Sequence, residues 1–114
     1  MKRGTVVLAP FPFTDLSTGK RRPAIIVSKE NPEKTDLIIA FISSIIPETI
    51  SETDLIIKST DKEFKQTGLH KASVIKLDKL LTIEKKLLVG EIGVLPVNLL
   101  DDLNKKLKMV FDLS

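Results

Sequence analysis

Six short apolar runs, separated by polar turns, are the feature that most constrains the fold of this chain. They are rich in Val, Ile and Leu and lie at residues 5–9, 23–28, 37–42, 54–58, 72–77 and 87–95. Short runs of this composition, bounded by Pro, Gly, Asn and Asp, favour strands over helices. The sequence therefore predicts a mainly β protein of five to seven mostly antiparallel strands, closed into a small barrel-like sheet.

One α-helix is predicted after the last strand, over residues 96–111. Apolar side chains recur there at spacings of three and four, at Val97, Leu100, Leu103, Leu107 and Phe111. That spacing forms one apolar stripe, by which we expect the helix to pack against the sheet. The run at residues 37–42 is apolar throughout and predicts a strand buried on both faces.

The composition excludes several classes of protein and site. A length of 114 residues allows one core, so residues 1–114 are predicted to form a single domain. Cysteine is absent and histidine occurs once, which excludes disulfides, thiolate zinc sites and multi-histidine metal centres. The longest apolar runs are too short to cross a bilayer, and the N-terminus does not match a signal peptide. We therefore expect a cytoplasmic protein.

Arginine is concentrated near the N-terminus of a mildly basic chain. Lys and Arg total 18 and Asp and Glu 15, for a net charge of +3, and all three Arg lie within the first 22 residues. Lys20, Arg21 and Arg22 follow one another at the end of a polar turn, directly before a predicted strand. Such a cluster can bind a phosphodiester and stabilise charge on its oxygens. The alternative is a solvated basic turn.

Hydroxyl, imidazole and carboxyl groups offer further candidates. Ser43 and Ser44 follow a buried strand, where they can contact a phosphate or only form a turn. His70 lies in a predicted turn, and we expect it to be an exposed loop residue. Asp15 shares the turn with the arginines and Asp78 follows a strand. Both acids are more often turn residues than catalysts.

Short segments along the chain follow one another in the order of a known family. They are Arg3-Gly4, residues 11–15, 19–28, 40–44 and 68–75, Leu77-Asp78, Thr82-Ile83 and the terminal amphipathic helix. Arg22-Pro23, which enters the second strand, is the most specific of them. In this order and spacing the chain resembles the PemK/MazF family of toxins from type II toxin–antitoxin systems, over nearly its whole length.

The resemblance implies a fold, an activity and partners. It implies a small antiparallel β-barrel that forms a homodimer and cleaves single-stranded RNA, often messenger RNA, without a metal or cofactor. Attack by the 2′-hydroxyl on the adjacent phosphate would leave a 2′,3′-cyclic phosphate and a 5′-hydroxyl. A cognate antitoxin would neutralise the protein with an acidic tail laid across the RNA groove.

The resemblance also assigns roles to residues. Arg22 would stabilise the phosphorane or act as an acid, and Ser43 would contact the scissile phosphate. Lys76 and Asp78 match an Arg-x-Asp motif of some members, with Lys in place of Arg. Asp15 is a candidate base, because some members carry an acid in this turn. The further expected RNA contacts are Lys20, Arg21 and Ser44.

Two non-catalytic alternatives remain open. Gyrase-poisoning toxins share this general fold and bind a protein instead of RNA. A member that binds only its antitoxin or RNA is the other alternative. Two departures from the family pattern keep it open, namely Thr5 in place of an acid after the opening Arg-Gly and Lys76 in place of Arg.

Overall fold

A computed structural model describes residues 1–10 and 20–114 of the protein. Among these residues, six strands and one α-helix form the framework: β1 (Thr5–Pro10), β2 (Arg21–Ile26), β3 (Asp36–Ser43), β4 (Asp54–Ile57), β5 (Ser73–Glu84), β6 (Gly90–Val94) and α1 (Val97–Val110). Two short 3-10 helices, Phe64–Thr67 and Lys85–Leu87, come before β5 and β6.

The strands form one antiparallel sheet in the order β4-β5-β3-β2-β1-β6. The sheet is curled, and the 3-10 helix that follows one edge strand, β4, rests against the other edge strand, β6. In the described part of the chain the two edges do not pair with each other, so the sheet is a half-barrel. The predicted mainly β, antiparallel architecture with a C-terminal helix is confirmed.

The sheet buries apolar side chains on both faces. Val6 and Val7 are neighbours in β1 and both are fully buried, yet they belong to different apolar clusters. Successive strand residues point to opposite faces, so each valine marks one face. The Val6 cluster includes Leu99 and Leu103 of α1. The helix therefore covers the Val6 face, and the Val7 face lies on the other side.

The helix packs by a different stripe from the predicted one. Leu103 is fully buried and Leu99 nearly so, whereas Val97 is 75% exposed and Phe111 is 57% exposed. At 100° per residue, Val97 lies about 120° around the helix from Leu103 and faces away from the sheet. Phe111 lies just past the last helical residue. The prediction that Val97 and Phe111 belong to the packed stripe was wrong.

Strand β3 is buried on both faces over most of its length, as predicted, but not throughout. Ile38 is 37% exposed because it borders an open cavity beside the loop that precedes β3. Strand β5 is much longer than the predicted run at residues 72–77. Ala40 pairs with Leu80 and Ile42 with Ile75, so residues 76–79 of β5 lie opposite Phe41 alone.

Two glycines allow the 3-10 helix after β4 to lie directly on β6. Gly68 ends that helix with φ of 74°, a left-handed conformation that favours glycine. A Cβ at Gly68 would overlap the carbonyl group of Ile92, and one at Gly93 would overlap the backbone of Gln66 and Thr67. The backbones meet only because both positions lack a side chain.

The N-terminal segment is tied to the body of the protein by Arg3. Its Nε donates to the Val27 carbonyl oxygen at 2.8 Å, and its Nη2 donates to Oδ1 of Asn104 in α1. These two hydrogen bonds join the end of β2 to the helix. Arg3 thus serves the packing of elements.

Candidate functional site

Strand pairing brings Arg22 and Ser43 side by side. In the β2–β3 ladder Ala24 lies opposite Phe41. Continuing that antiparallel register by two residues sets Ser43 opposite Arg22, and opposed residues share one face of a sheet. Arg22 also pairs with Ala9 of β1, which belongs to the cluster on the face away from α1. Two residues predicted from separate motifs therefore meet on that face.

An open cavity of about 530 Å³ lies at this end of the sheet. Its polar lining consists of Arg22, Ser43, Ser44, His70 and Lys71, with Ser73 at one side. Among the described residues that line it, none is acidic and two carry a permanent positive charge. A cavity with charge of one sign attracts ligands of the opposite sign, so this one favours an anion. Its apolar walls include Phe41 and Leu69.

The Ser43 hydroxyl also holds the loop that follows β3. Its Oγ accepts a hydrogen bond from the Ile45 backbone N–H at 3.1 Å and lies 3.5 Å from the Ile45 carbonyl oxygen. The turn-forming role weighed for this serine is thus present in the structure. Because the strong contact uses the oxygen as acceptor, the O–H can still turn toward a ligand in the cavity. Ser44 is exposed beside it.

The turn that carries His70 and Lys71 is the part of the cavity that sequence reasoning did not assign to the site. The fully buried Thr67 accepts a hydrogen bond from the Leu69 N–H at 3.2 Å. The buried Ser73 donates to the Lys71 carbonyl oxygen at 2.9 Å. His70 is exposed, as predicted, but both flanks of its turn are fixed. The local signal was slight: one histidine in the whole chain, followed by a lysine.

The other basic residues of the predicted cluster lie beside the cavity. Lys20 and Arg21 are exposed, and neither lines the cavity. Arg21 precedes Arg22 in β2, so its side chain projects from the opposite face of the sheet. Asp15 falls outside the described residues, and its suggested role as a base stays a prediction.

Lys76 and Asp78 lie on the irregular section of β5 and do not line the cavity. Asp78 is exposed. Lys76 Nζ lies 3.7 Å from Oδ1 of Asp54, whose side chain is 1% exposed and whose Oδ2 accepts from the Ser51 N–H at 3.0 Å. A buried carboxylate needs a compensating charge. The structure thus gives Lys76 a supporting role for Asp54, and its predicted part in an Arg-x-Asp motif stays a prediction.

Within residues 1–10 and 20–114, no group of three or more His, Asp or Glu side chains is placed to hold a metal ion. No helix there is both long and apolar enough to span a membrane.

Comparison with known proteins places the chain in a family. The sequence model of the PemK-like, MazF-like toxins of type II toxin–antitoxin systems matches residues 2–111. The chain belongs to this family. The predicted family resemblance is therefore confirmed, over nearly the whole sequence. A search of curated proteins found no significant match.

Solved structures of toxins from this family share the fold. MazF-mt6 of Mycobacterium tuberculosis is 23% identical, with a TM-score of 0.75 over 96% of this chain and 98% of that one. A mycobacterial endoribonuclease in complex with its cognate antitoxin is 17% identical, with a TM-score of 0.77 over 100% and 97%. The MazE–MazF complex of Deinococcus radiodurans is 17% identical, with a TM-score of 0.75 over 100% and 97%. At these identities the likeness concerns the fold.

Proposed function

We propose that this PemK/MazF family member is a metal-independent endoribonuclease toxin that cleaves single-stranded RNA. The observation that carries the proposal is the meeting of Arg22 and Ser43 at a cationic cavity open to solvent. Membership of a toxin family supports it, as does the fold shared with a mycobacterial endoribonuclease. A toxin of the gyrase-poisoning kind, which binds a protein, would have no need of this arginine beside a hydroxyl.

The chemistry needs few groups. The 2′-oxygen of a ribose forms a bond to the adjacent phosphorus, and the bond from phosphorus to the 5′-oxygen breaks. The products are a 2′,3′-cyclic phosphate and a 5′-hydroxyl. Negative charge grows on the non-bridging oxygens, where the Arg22 guanidinium can bind two of them as a fork. The Ser43 hydroxyl donates to a phosphate oxygen and fixes its orientation.

The proposed partners follow from the same cavity. Two of the related structures are complexes of a toxin with its antitoxin. We extend this to a cognate antitoxin whose acidic segment covers the cationic cavity and excludes RNA. We also propose a homodimer, as the family resemblance implies, acting in the cytoplasm where messenger RNA is found.

The test compares three proteins on one long single-stranded RNA in the presence of EDTA. We expect wild type to cut at discrete positions and to leave cyclic-phosphate ends. Removing the cation that meets the developing charge, in Arg22→Ala, should slow cleavage roughly 100-fold to 1000-fold. Lys29→Ala removes the same charge from an exposed residue seven positions along, roughly 20 Å away in extended chain, and should cut like wild type.

Three outcomes would contradict the proposal. If no RNA is cut under any of these conditions, the non-catalytic alternatives take its place, and a gyrase pull-down separates the two. If Arg22→Ala cuts as fast as wild type, the activity resides elsewhere. A loss in Lys29→Ala equal to that in Arg22→Ala would reduce the effect to net charge.

A further inference from the structure

His70 is the one imidazole in the described cavity lining, and an imidazole nitrogen has a lone pair that can accept a proton. Arg22 and Lys71, the charged groups that share the cavity, are cations with no lone pair to offer. Ser43 and Ser44 are hydroxyls, which are poor bases. Cleavage by a 2′-hydroxyl needs a group to remove its proton. Imidazole is the side chain best suited to that task.

The turn that presents His70 is held by buried groups on both sides. The Thr67 hydroxyl accepts a hydrogen bond from the Leu69 N–H, and the Ser73 hydroxyl donates one to the Lys71 carbonyl oxygen. Gly68, two residues before the histidine, lies against the backbone of β6. A solvated loop does not need two buried hydroxyls and a backbone contact to hold its shape. A catalytic group does need support of this kind, because misplacement costs rate.

We propose that His70 is the general base of the RNA cleavage reaction, an inference that rests on the proposed endoribonuclease function. Its ring nitrogen takes the proton from the 2′-hydroxyl as the 2′-oxygen bonds to phosphorus. The phosphorus–5′-oxygen bond breaks, the leaving 5′-oxygen takes a proton from water, and the resulting hydroxide is neutralised by the proton that His70 took up. Arg22 holds the non-bridging oxygens throughout. The two residues have separate tasks: His70 moves a proton and Arg22 stabilises charge.

The separation of tasks gives a crossed chemical-rescue experiment. A short RNA that spans one mapped cut site is cleaved in single turnovers by wild type, His70→Ala and Arg22→Ala. We expect His70→Ala to be slowed about 100-fold or more. Added imidazole should restore part of that lost rate in proportion to its concentration. Added guanidinium should not, whereas for Arg22→Ala guanidinium should restore rate and imidazole should not.

Three controls accompany the rescue. Binding of a 2′-deoxy analogue of the same RNA should be nearly unchanged in His70→Ala, because the variant keeps the cations of the cavity. Urea unfolding should also be unchanged, since His70 is exposed. His70→Gln, which keeps a hydrogen-bonding group but cannot act as a base, should be as slow as His70→Ala.

The outcomes separate this proposal from the one on which it rests. If wild type cuts and His70→Ala cuts equally fast, His70 is not the base and the endoribonuclease function stands. A slow His70→Ala with weaker binding and no rescue by imidazole would make it an RNA contact and overturn the proposal. Loss of cleavage in Asp15→Asn together with full activity in His70→Ala would move the base to Asp15. Only failure of wild type to cut any RNA would overturn both proposals.

Discussion

Ser43 uses one hydroxyl for two purposes. Its oxygen accepts a hydrogen bond from the loop after β3, and the same group lines the cavity beside Arg22. A side chain fixed in this way has already lost its rotamer freedom before RNA binds. Its hydrogen bond to a phosphate oxygen therefore costs little further entropy.

We expect Ser43→Ala to slow RNA cleavage about tenfold, the effect of one hydrogen bond to a charged group. Ser43→Thr keeps the hydroxyl and should keep most of the rate. Single-turnover cleavage of one RNA measures both. Ser59→Ala, which changes an exposed serine after β4, is the matched control. If Ser43→Ala cleaves as fast as that control, Ser43 only holds the loop after β3 and does not contact the phosphate.

Part of the site was predictable because its residues are placed by neighbours in sequence. The predicted strands begin just after Arg22 and end just before Ser43, so strand assignment placed both residues at an end of the sheet. In the structure β2 and β3 include them. His70 was not assigned to the site, because its position depends on contact between Gly68 and β6, 24 residues later along the chain. The pairing of Lys76 with Asp54 likewise depends on the register of β4 against β5.

At the scale of elements, the contact between the 3-10 helix after β4 and strand β6 joins the two edges of the curled sheet. Gly93 and Gly90 both lie in β6, but only Gly93 faces another backbone. A Cβ at Gly93 would overlap Gln66 and Thr67, whereas one at Gly90 would meet nothing within 4 Å. The same strand thus contains a glycine the fold needs and one it does not.

We expect Gly93→Ala to lower the free energy of unfolding by roughly 1–3 kcal/mol, because the added methyl forces two backbones apart. Gly90→Ala should stay within about 0.5 kcal/mol of wild type. Urea unfolding followed by circular dichroism measures both variants. Equal stability of the two would mean that the contact with β6 contributes nothing to the fold.

The elements themselves followed from sequence more closely than their packing did. Strand composition and the spacing of leucines predicted the strands and α1, because both periodicities are local. The prediction of the packed face of α1 was wrong at Val97 and Phe111. The side of the helix that faces the sheet depends on contacts with the sheet, and the helix sequence does not contain them. The length of β5 was missed for a related reason: residues 76–79 interrupt its pairing with β3.

At the scale of the whole molecule, a net charge of +3 is too small to hold RNA by itself. Positive charge is instead gathered at one end of the sheet, in Lys20, Arg21, Arg22 and Lys71. Binding that depends on three or four such phosphate contacts releases bound counterions from the RNA. The affinity must then fall as salt rises.

We expect the logarithm of RNA affinity to fall with the logarithm of salt concentration with a slope of about −2 to −3. Lys71→Ala removes one cation of the cavity and should make the slope shallower by about 0.7. Lys29→Ala, three residues beyond the far end of β2, should leave the slope unchanged. Fluorescence anisotropy with the 2′-deoxy RNA measures the affinity of wild type and of both variants. An affinity that does not change with salt concentration would rule out the basic cluster as the RNA contact.

The contact between β6 and the 3-10 helix also determines when the site can exist. A polypeptide emerges from the ribosome with its N-terminal residues first. Arg22, Ser43 and His70 are all synthesised before β6, the strand against whose backbone Gly68 and the 3-10 helix before His70 lie. The cavity is therefore completed late in synthesis, after all of its own lining residues have been synthesised. A nascent chain that lacks β6 carries every proposed catalytic group and still has no formed site.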